Sequence, residues 1–303
     1  MYDLIIIGAG PAGLTAGLYA GRFRLETLIL EKMSVGGQII TSPDIENFPG
    51  FPGGIATAEL IEKLKQQVDD LGVKIELDEA RDIITDKNNY FVKTGNNSYE
   101  TRTIIVASGA QPKRLGVLGE ERLTGRGVSY CGTCDAPLFK DKEVVVIGAG
   151  DRAIEEALFL TRYAGKVTII HRRNALRASR ILEEKARQNP KINFILESTV
   201  EEIVGDKKVE KIKIKNVNNA ASSMLACEGV FVFVGIKPNT DFLKNILHLD
   251  ASGFIITDQE LATSSKGIFA CGDCLKKSLY QVVNACAEGA LAAHSANIYL
   301  LEQ

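Results

Sequence analysis

Residues 3–13 read DLIIIGAGPAG and residues 143–153 read EVVVIGAGDRA, and these two stretches decide the fold class. In each, a run of apolar residues predicts a buried β-strand that enters a glycine turn. An apolar helical segment follows the first turn, and a helix over 154–163 is predicted after the second. Strands over 27–30 and 166–170 then complete the same order of strand, turn, helix and strand twice.

The two glycine turns have the chemistry of dinucleotide-binding sites. The first glycine permits a tight turn, and the second lets the backbone approach a pyrophosphate at the positive end of the helix. The third position must be small, so that helix and strand pack closely. One such turn is common for packing reasons alone, whereas two in full context favour two nucleotide sites. The turn residues expected to bind nucleotides are Gly8, Gly10, Pro11, Ala12 and Gly13, and Gly148, Gly150, Asp151, Arg152 and Ala153.

The two copies differ eighteen residues after the third small residue, which predicts two different nucleotides. The first copy has Glu31, whose carboxylate suits the free ribose hydroxyls of FAD or NAD. The second copy has His171, followed by Arg172, Arg173 and Arg177. This cluster suits the 2'-phosphate of NADP through charge-assisted hydrogen bonds, although a solvated strand end would have the same composition.

Four of the six cysteines form two Cys-x-x-Cys pairs, which is too sparse for a disulfide scaffold. The pairs are also too far apart for a usual four-cysteine zinc site, so no metal is expected. Cys131 and Cys134 lie just before the second nucleotide unit. We predict that they form a redox-active disulfide, with the neighbouring Asp135 as proton donor or acceptor. Two buried structural thiols are the alternative interpretation.

The second pair, Cys271 and Cys274, flanks Gly272 and Asp273 in the segment GIFACGD at 267–273. A glycine and an aspartate at a strand end, before a helix, bind a cofactor chain or form a turn with a helix cap. Neighbours in an extended segment point to opposite faces, so these cysteines need not face a cofactor. We predict a structural role for them.

The composition excludes several classes of partner. The 303 residues favour about two domains, and 36 basic against 38 acidic residues give a net charge of -2. Such a balance predicts no nucleic-acid or membrane partner. The apolar run at 4–20 has no basic segment before it and contains a glycine turn, so it is a strand and not a signal peptide. A cytoplasmic protein is expected.

Taken together, the motifs resemble the low-molecular-weight thioredoxin reductases over nearly the whole chain. GAGPAG with GGQ at 36–38 and ENFPG at 46–50 is similar to the FAD half of that family. CGTCD at 131–135 is similar to its active site, and GAGDRA with HRRNALR at 171–177 to its NADPH half. GIFACGD with QVV at 281–283 is similar to its closing FAD segment.

The resemblance implies an α/β fold with two Rossmann-like, doubly wound, three-layer nucleotide-binding domains. Residues 1–113 and 242–303 would form a split FAD-binding domain. Residues 114–241 would form the NADPH-binding domain, inserted between the two parts and carrying the redox-active disulfide. The resemblance also implies FAD and NADPH as cofactors, thioredoxin as partner, a homodimer, and an NADPH domain that swings between two orientations.

Roles for single residues follow from the same resemblance. It implies that Cys134 faces the flavin, that Cys131 attacks the partner disulfide, and that Asp135 is the acid and base. Arg126 is expected to help dock thioredoxin. The residues expected to bind FAD, besides the first glycine turn and Glu31, are Lys32, Gly37, Gln38, Asn47, Gly109, Gly272, Asp273, Gln281 and Val282.

Three residues depart from the pattern of the family. Arg152 stands where a small hydroxyl residue is usual, and is expected to strengthen phosphate binding or to obstruct the nicotinamide. Tyr280 stands where an arginine commonly precedes the glutamine, and Gly132 replaces a more usual alanine. The alternatives are a reductase with ferredoxin as donor or another small dithiol protein as partner, and a flavin redox sensor without turnover. The arginine cluster favours NADPH.

Overall fold

The structure is a computed structural model that describes residues 1–41, 44–86 and 89–303. The chain divides into two compact units. Unit 1 contains Met1–Gln111 and Lys237–Gln303, and unit 2 contains Pro112–Ile236. These boundaries lie a few residues before the expected ones, and which nucleotide each unit binds stays a prediction.

Helices and strands alternate over 120–195, whereas strands follow one another, with no helix among the described residues, over 74–112 and 192–238. The helices are α1 (Pro11–Arg22), α2 (Thr57–Asp69), α3 (Glu120–Leu123), α4 (Gly132–Asp135), α5 (Asp151–Leu160), α6 (Arg180–Gln188) and α7 (Val282–Leu301). The strands are β1 (Tyr2–Ile7), β2 (Thr27–Glu31), β3 (Asp44–Ile45), β4 (Ile55–Ala56), β5 (Lys74–Leu77), β6 (Asp82–Asp86), β7 (Asn89–Lys93), β8 (Ser98–Val106), β9 (Ala110–Pro112), β10 (Val128–Ser129), β11 (Glu143–Ile147), β12 (Lys166–Ile170), β13 (Ile192–Ile195), β14 (Ser198–Val204), β15 (Lys211–Asn216), β16 (Ser222–Ala226), β17 (Gly229–Val232), β18 (Ile236–Pro238) and β19 (Ile268–Ala270).

Unit 1 is built on a sheet with the strand order β5-β2-β1-β8-β7-β6, to which β19 adds by pairing with β8. β1 pairs in parallel with β2 and β8, and β19 is parallel to β8. Leu4, Ile5 and Ile6 of β1 are fully buried, as expected for a central parallel strand. Helices α1 and α7 pack closely where Gly289 meets Ala12. A Cβ atom at Gly289 would lie 2.2 Å from the carbonyl oxygen of Ala12, so only glycine fits at this contact.

Unit 2 has three layers around a parallel sheet with the order β10-β17-β11-β12-β13. Alternate residues of β11 point to opposite faces. Val144 and Val146 lie in an apolar cluster with residues of α5 and α6. Val145 and Ile147 lie in a second cluster with residues of β14 and β15, which belong to an antiparallel sheet with β16. The α/β fold class with parallel sheets is thus confirmed.

Helix α5 begins and ends three residues before the predicted helix over 154–163. It begins at Asp151 because Gly150 already has the extended conformation of an N-cap. Residues 161–163, which the prediction included, form the turn that leads to β12. Tyr163 packs against the apolar cluster of α5, so its apolar character extended the predicted helix beyond the observed end.

In the described part of the chain, no helix combines the length and the apolar composition that crossing a bilayer requires.

Candidate redox and nucleotide-binding sites

The predicted redox pair is a disulfide in unit 2. Cys131 and Cys134 are bonded, with their Cα atoms 5.4 Å apart. Cys131 is the N-cap residue of α4, and the backbone N–H of Cys134 donates a hydrogen bond to its Sγ at 3.1 Å. A hydrogen bond from an amide favours negative charge on sulfur, so this contact suits Cys131 as the attacking sulfur once the disulfide is open. Asp135, the last residue of α4, is half-buried.

The strand that enters the redox loop is fixed by side chains. Ser129 Oγ accepts a hydrogen bond from the Cys131 N–H and donates one to the Cys131 carbonyl, both at 3.0 Å. The hydroxyl of Tyr130 donates to Glu120 at 2.7 Å, and burial is the first cause that raises the pKa of Tyr130 to about 12. Glu120 also accepts from the N–H groups of Leu115 and Gly116. The backbone before the disulfide is therefore held in one position.

A buried carboxyl group that sequence reasoning missed lies beside the redox loop. Glu156 of α5 is 5% exposed, and neither of its oxygens forms a hydrogen bond of regular geometry. Burial raises its pKa to about 7, while Arg152 and the N–H groups of Thr133 and Gly132 lower it. A Cβ atom at Gly132 would lie 2.2 Å from Glu156 Oε2. Glycine at position 132, where the family usually has alanine, thus leaves room for this carboxyl.

A signal for Glu156 is present in the sequence. It lies three residues after Ala153 and four before Leu160, both buried, so a helix puts it on the apolar face.

The first glycine turn has the close approaches that a dinucleotide turn requires. Gly8 has φ +110°, and a Cβ there would lie 2.3 Å from the Ala107 carbonyl oxygen. A Cβ at Gly13 would lie 1.8 Å from the Gly8 carbonyl oxygen, so helix and strand close together only with glycine. Gly10 is the N-cap of α1, and Pro11 is its first residue. The amides of α1 therefore begin at the turn.

A second glycine segment lies on this turn. The Gly36 N–H donates to the Ala9 carbonyl at 2.8 Å, and a Cβ at Gly37 would lie 3.2 Å from the Gly10 Cα. Gly37 and Gln38 begin a short 3-10 helix. The backbones of Gly10 and Gly37 therefore face each other with no side chain between them. We call this place the cradle between Gly10 and Gly37.

Glu31 ends β2 beside the same turn. Its carboxylate accepts hydrogen bonds from the Ala9 N–H at 2.8 Å and the Met33 N–H at 2.9 Å. Each carboxylate oxygen keeps a second lone pair for a ribose hydroxyl. The ammonium of Lys32 instead pairs with Glu79 at 2.5 Å, so its side chain is engaged at the surface.

Two predicted FAD residues from distant parts of the sequence meet. The Asn47 amide donates to Gln281 Oε1 at 3.0 Å across 234 residues of sequence. Gln281 is the N-cap of α7 and Val282 its first residue. The N-terminal and C-terminal segments of unit 1 thus meet at the start of α7. Gly109, with φ +64°, has open space where a side chain would stand.

Asp273 lies in a charged group around Glu288, which sequence reasoning missed. Glu288 Oε2 accepts from the Gly272 N–H and from Lys277 Nζ, both at 2.8 Å. Lys277 Nζ also lies 3.2 Å from Asp273 Oδ1, but this buried oxygen forms no hydrogen bond of regular geometry. Lys277 Nζ lies 5.5 Å from the centre of the Tyr280 ring. At position 280, where an arginine is common in the family, a lysine cation thus packs on an aromatic face.

The second cysteine pair is reduced and buried. Cys271 and Cys274 are free thiols with no exposed surface. The Cys274 thiol contacts the Cys271 carbonyl oxygen at 3.2 Å. Burial raises the pKa of both thiols, that of Cys274 to about 12. Protonated thiols are poor nucleophiles, and the predicted structural role agrees with this environment. Among residues 1–41, 44–86 and 89–303, no cluster of three or more His, Cys, Asp or Glu side chains suits a metal.

The second glycine turn, in unit 2, has the same geometry as the first. Gly148 has φ +130°, and a Cβ there would lie 2.1 Å from the Phe233 carbonyl oxygen. Gly150 has open space beside it. Asp151 Oδ1 accepts from the Ser179 N–H at 2.6 Å, so its carboxylate already has a backbone partner. The guanidinium of Arg152 lies 5.6 Å from the centre of the Phe233 ring.

The predicted arginine cluster is assembled beside this turn. The Arg177 N–H donates to the Ala149 carbonyl at 2.7 Å, which attaches the segment to the glycine turn. Burial, then Arg173, Arg172 and Arg177, lower the pKa of His171, so all three arginines act on one imidazole. His171 Nε2 is buried without a hydrogen-bond partner, and the three arginines are exposed. An exposed positive cluster therefore lies next to the helix start.

The chain is similar to known proteins over nearly its whole length. Residues 2–289 match the family described as pyridine nucleotide-disulphide oxidoreductase. The thioredoxin reductase of Listeria monocytogenes is 45% identical over 303 residues, covering 100% of this chain and 95% of that protein. That of Peptoclostridium acidaminophilum is 44% identical, covering 99% and 97%. The crystal structure of Lactococcus lactis thioredoxin reductase in its FR conformation has a TM-score of 0.98 at 40% identity, covering 100% of both chains.

Proposed function

Because the chain belongs to the pyridine nucleotide-disulphide oxidoreductase family and, within it, to the thioredoxin reductases, we propose a reductase with NADPH as donor and FAD as bound cofactor. Its substrate is the disulfide of thioredoxin. The observation that carries the proposal is the Cys131–Cys134 disulfide, placed in a unit that has its own dinucleotide turn. When bound, FAD would supply the redox chemistry: it can accept hydride from NADPH and pass electrons to a disulfide.

The residues of unit 1 fit an FAD molecule. Gly8, Gly10 and Gly13 shape the turn for the pyrophosphate, and Glu31 is placed for a ribose. The cradle between Gly10 and Gly37 and the buried Asp273 Oδ1 support this assignment. The other residues that would hold FAD are Pro11, Ala12, Gln38, Asn47, Gly109, Gly272, Gln281 and Val282, with Lys32 contributing through its backbone.

The residues of unit 2 fit NADPH. Gly148, Gly150 and Ala153 shape the turn for the pyrophosphate, and Asp151 contributes its backbone because its carboxylate binds Ser179. Arg172 and Arg173, with His171 and Arg177, would bind the 2'-phosphate. Arg152 packs on Phe233 beside the turn, so it adds positive charge without filling the space next to Gly150.

The chain's own chemistry is disulfide exchange. The Cys131 thiolate attacks one sulfur of the thioredoxin disulfide, which forms a mixed disulfide and releases one thioredoxin thiol. Cys134 then attacks Cys131 Sγ, which closes the ring and releases the second thiol. The hydrogen bond from the Cys134 N–H favours Cys131 as the attacking group, and Asp135 exchanges protons with the sulfurs. The exposed Arg126 would help dock thioredoxin, and the chain would work as a cytoplasmic homodimer.

The first expected result concerns the cofactor. The purified protein is expected to carry about one FAD per chain after reconstitution, because the turn, Glu31 and Asp273 fit one dinucleotide. Release by heat, followed by chromatography against FAD and FMN standards, measures both identity and amount. Recovery of FMN, or of no flavin, would contradict the assignment of unit 1.

The second expected result concerns turnover. Under anaerobic conditions NADPH is expected to bleach the flavin, and the rate of NADPH oxidation is expected to scale with added oxidised thioredoxin. Bleaching without turnover would favour a redox sensor, and bleaching by reduced ferredoxin alone would favour the other donor. Turnover with a glutaredoxin-like protein in place of thioredoxin would change the partner.

A further inference from the structure

We propose that Glu156 is a positioning residue for the redox pair, one that takes up a proton when the Cys131–Cys134 disulfide opens and returns it when the disulfide closes. This inference deepens the proposed function and rests on its dithiol chemistry. Glu156 does not touch the sulfurs of a substrate; it acts on the pair through the loop backbone at Gly132 and Thr133.

The geometry puts an unpartnered carboxyl beside the loop. Only 5% of the Glu156 surface is exposed, and neither carboxyl oxygen forms a hydrogen bond of regular geometry. A buried carboxylate without such bonds is costly, and an apolar side chain would pack at less cost. The side chain nevertheless lies on the apolar face of α5, with Oε2 against the Gly132 Cα. We therefore assign the carboxyl group a role towards the redox loop and not in the packing of the core.

The charged groups around Glu156 leave it free to change its protonation. On its own helix, Arg152 favours the carboxylate and Glu155 disfavours it. From α4, the N–H groups of Gly132 and Thr133 favour the carboxylate, and Asp135 is the titratable residue of that helix. The cluster that joins α5 to α6, β11 and β12 is apolar. Because the pKa of Glu156 is raised to about 7, the group titrates in the range where thiols also change charge.

The proton balance of the disulfide gives this group its role. Opening the S–S bond with two electrons leaves two sulfur anions, and two protons are needed to restore neutrality. One proton goes to a sulfur. The second is shared between the Glu156 carboxylate and the remaining sulfur, because a new negative charge in the loop raises the affinity of a neighbouring carboxylate for protons. In the molecules where Glu156 holds this proton, Cys131 keeps its negative charge for attack on the partner; in the others the carboxylate opposes the thiolate.

The first test follows the thiol reactivity of the full-length flavoprotein reduced with dithiothreitol. Alkylation of Cys131 is measured against pH by peptide mass spectrometry in wild type, Glu156→Gln and Glu184→Gln. Glu184 is the matched control, since it is an exposed glutamate on α6 of the same unit. The wild-type profile is expected to spread over two coupled steps. Glu156→Gln is expected to give one step at lower pH, with alkylation at pH 7 faster by about threefold to tenfold, a shift of up to about one pKa unit. Superimposable profiles of Glu156→Gln and wild type would overturn the proposal.

The second test observes the proton itself and needs no variant to fold. Infrared difference spectra between the disulfide and dithiol states of wild type are expected to show a carboxylic acid carbonyl band that grows on reduction. The band is expected to persist in Glu184→Gln and to vanish in Glu156→Gln. Its absence from the wild type would refute the role of Glu156. Because dithiothreitol replaces NADPH and thioredoxin in both tests, failure of the proposed function shows in the turnover assay and not here.

Discussion

Replacement of Cys131 or Cys134 by serine is expected to abolish disulfide turnover, while NADPH still reduces the flavin at close to the wild-type rate. The pair forms the disulfide of unit 2, and exchange needs both sulfurs, one to attack and one to release the mixed disulfide. In the proposed reaction, hydride transfer precedes exchange and uses neither sulfur. Steady-state reduction of thioredoxin measures the loss, and anaerobic stopped-flow reduction of the flavin measures what is retained.

The other pair supplies the control. Cys271→Ser changes a thiol that is fully buried and protonated, so it is expected to leave turnover near the wild-type value in the protein that folds. Flavin absorbance and the unfolding temperature report folding independently of activity. Loss of turnover in folded Cys271→Ser, with turnover retained in Cys131→Ser, would show that the redox centre is the other pair.

The second large effect concerns the choice of nucleotide. Arg172→Ala combined with Arg173→Ala is expected to raise the Michaelis constant for NADPH steeply and to change that for NADH little, because NADH has no 2'-phosphate. A hydrogen bond to a charged group contributes roughly 1.5–3 kcal/mol, so two arginines favour NADPH by on the order of a hundredfold. Both side chains are exposed, and salt screening keeps the effect near the lower end.

The control for this variant has the same change in net charge. Lys207→Ala combined with Lys208→Ala removes two exposed cations from unit 2, away from the glycine turn in sequence. It is expected to change neither Michaelis constant by more than about twofold, because neither lysine belongs to the predicted 2'-phosphate cluster and exposed charges are screened by salt. Equal use of NADPH and NADH by the wild type would show that the arginine cluster is only a solvated strand end.

The fold was predictable where local chemistry decides it. The two glycine turns fix their strands and helices because Gly8 and Gly148 approach carbonyl oxygens that no larger residue can approach. The end of α5 was predicted wrongly because an apolar residue of a turn that packs against the core, such as Tyr163, has the same pattern as a helix residue. Apolar periodicity reports burial, and burial continues beyond the last helical hydrogen bond.

The redox pair was predictable from its motif, whereas the side-chain contacts around the candidate sites were not. The pairing of Cys131 with Cys134 followed from spacing, and the structure contains it. Glu288 was missed because its partners Gly272 and Lys277 meet it only after α7 returns to the sheet. Glu156 was missed because two adjacent glutamates usually mark a solvated face, although its spacing from Leu160 pointed inward.

The segment order of unit 1 determines how the chain matures on the ribosome. β19 and α7 complete the sheet and the helical cover of unit 1, yet both follow all of unit 2 in the sequence. Domains generally fold as units during synthesis. We therefore expect unit 2 to fold before β19 and α7, which complete unit 1, have been synthesised. The contact of Gly289 with Ala12 then closes α7 over the first turn. If FAD binds to unit 1 as proposed, we expect its loading to be a late step of biogenesis, after unit 2 has folded.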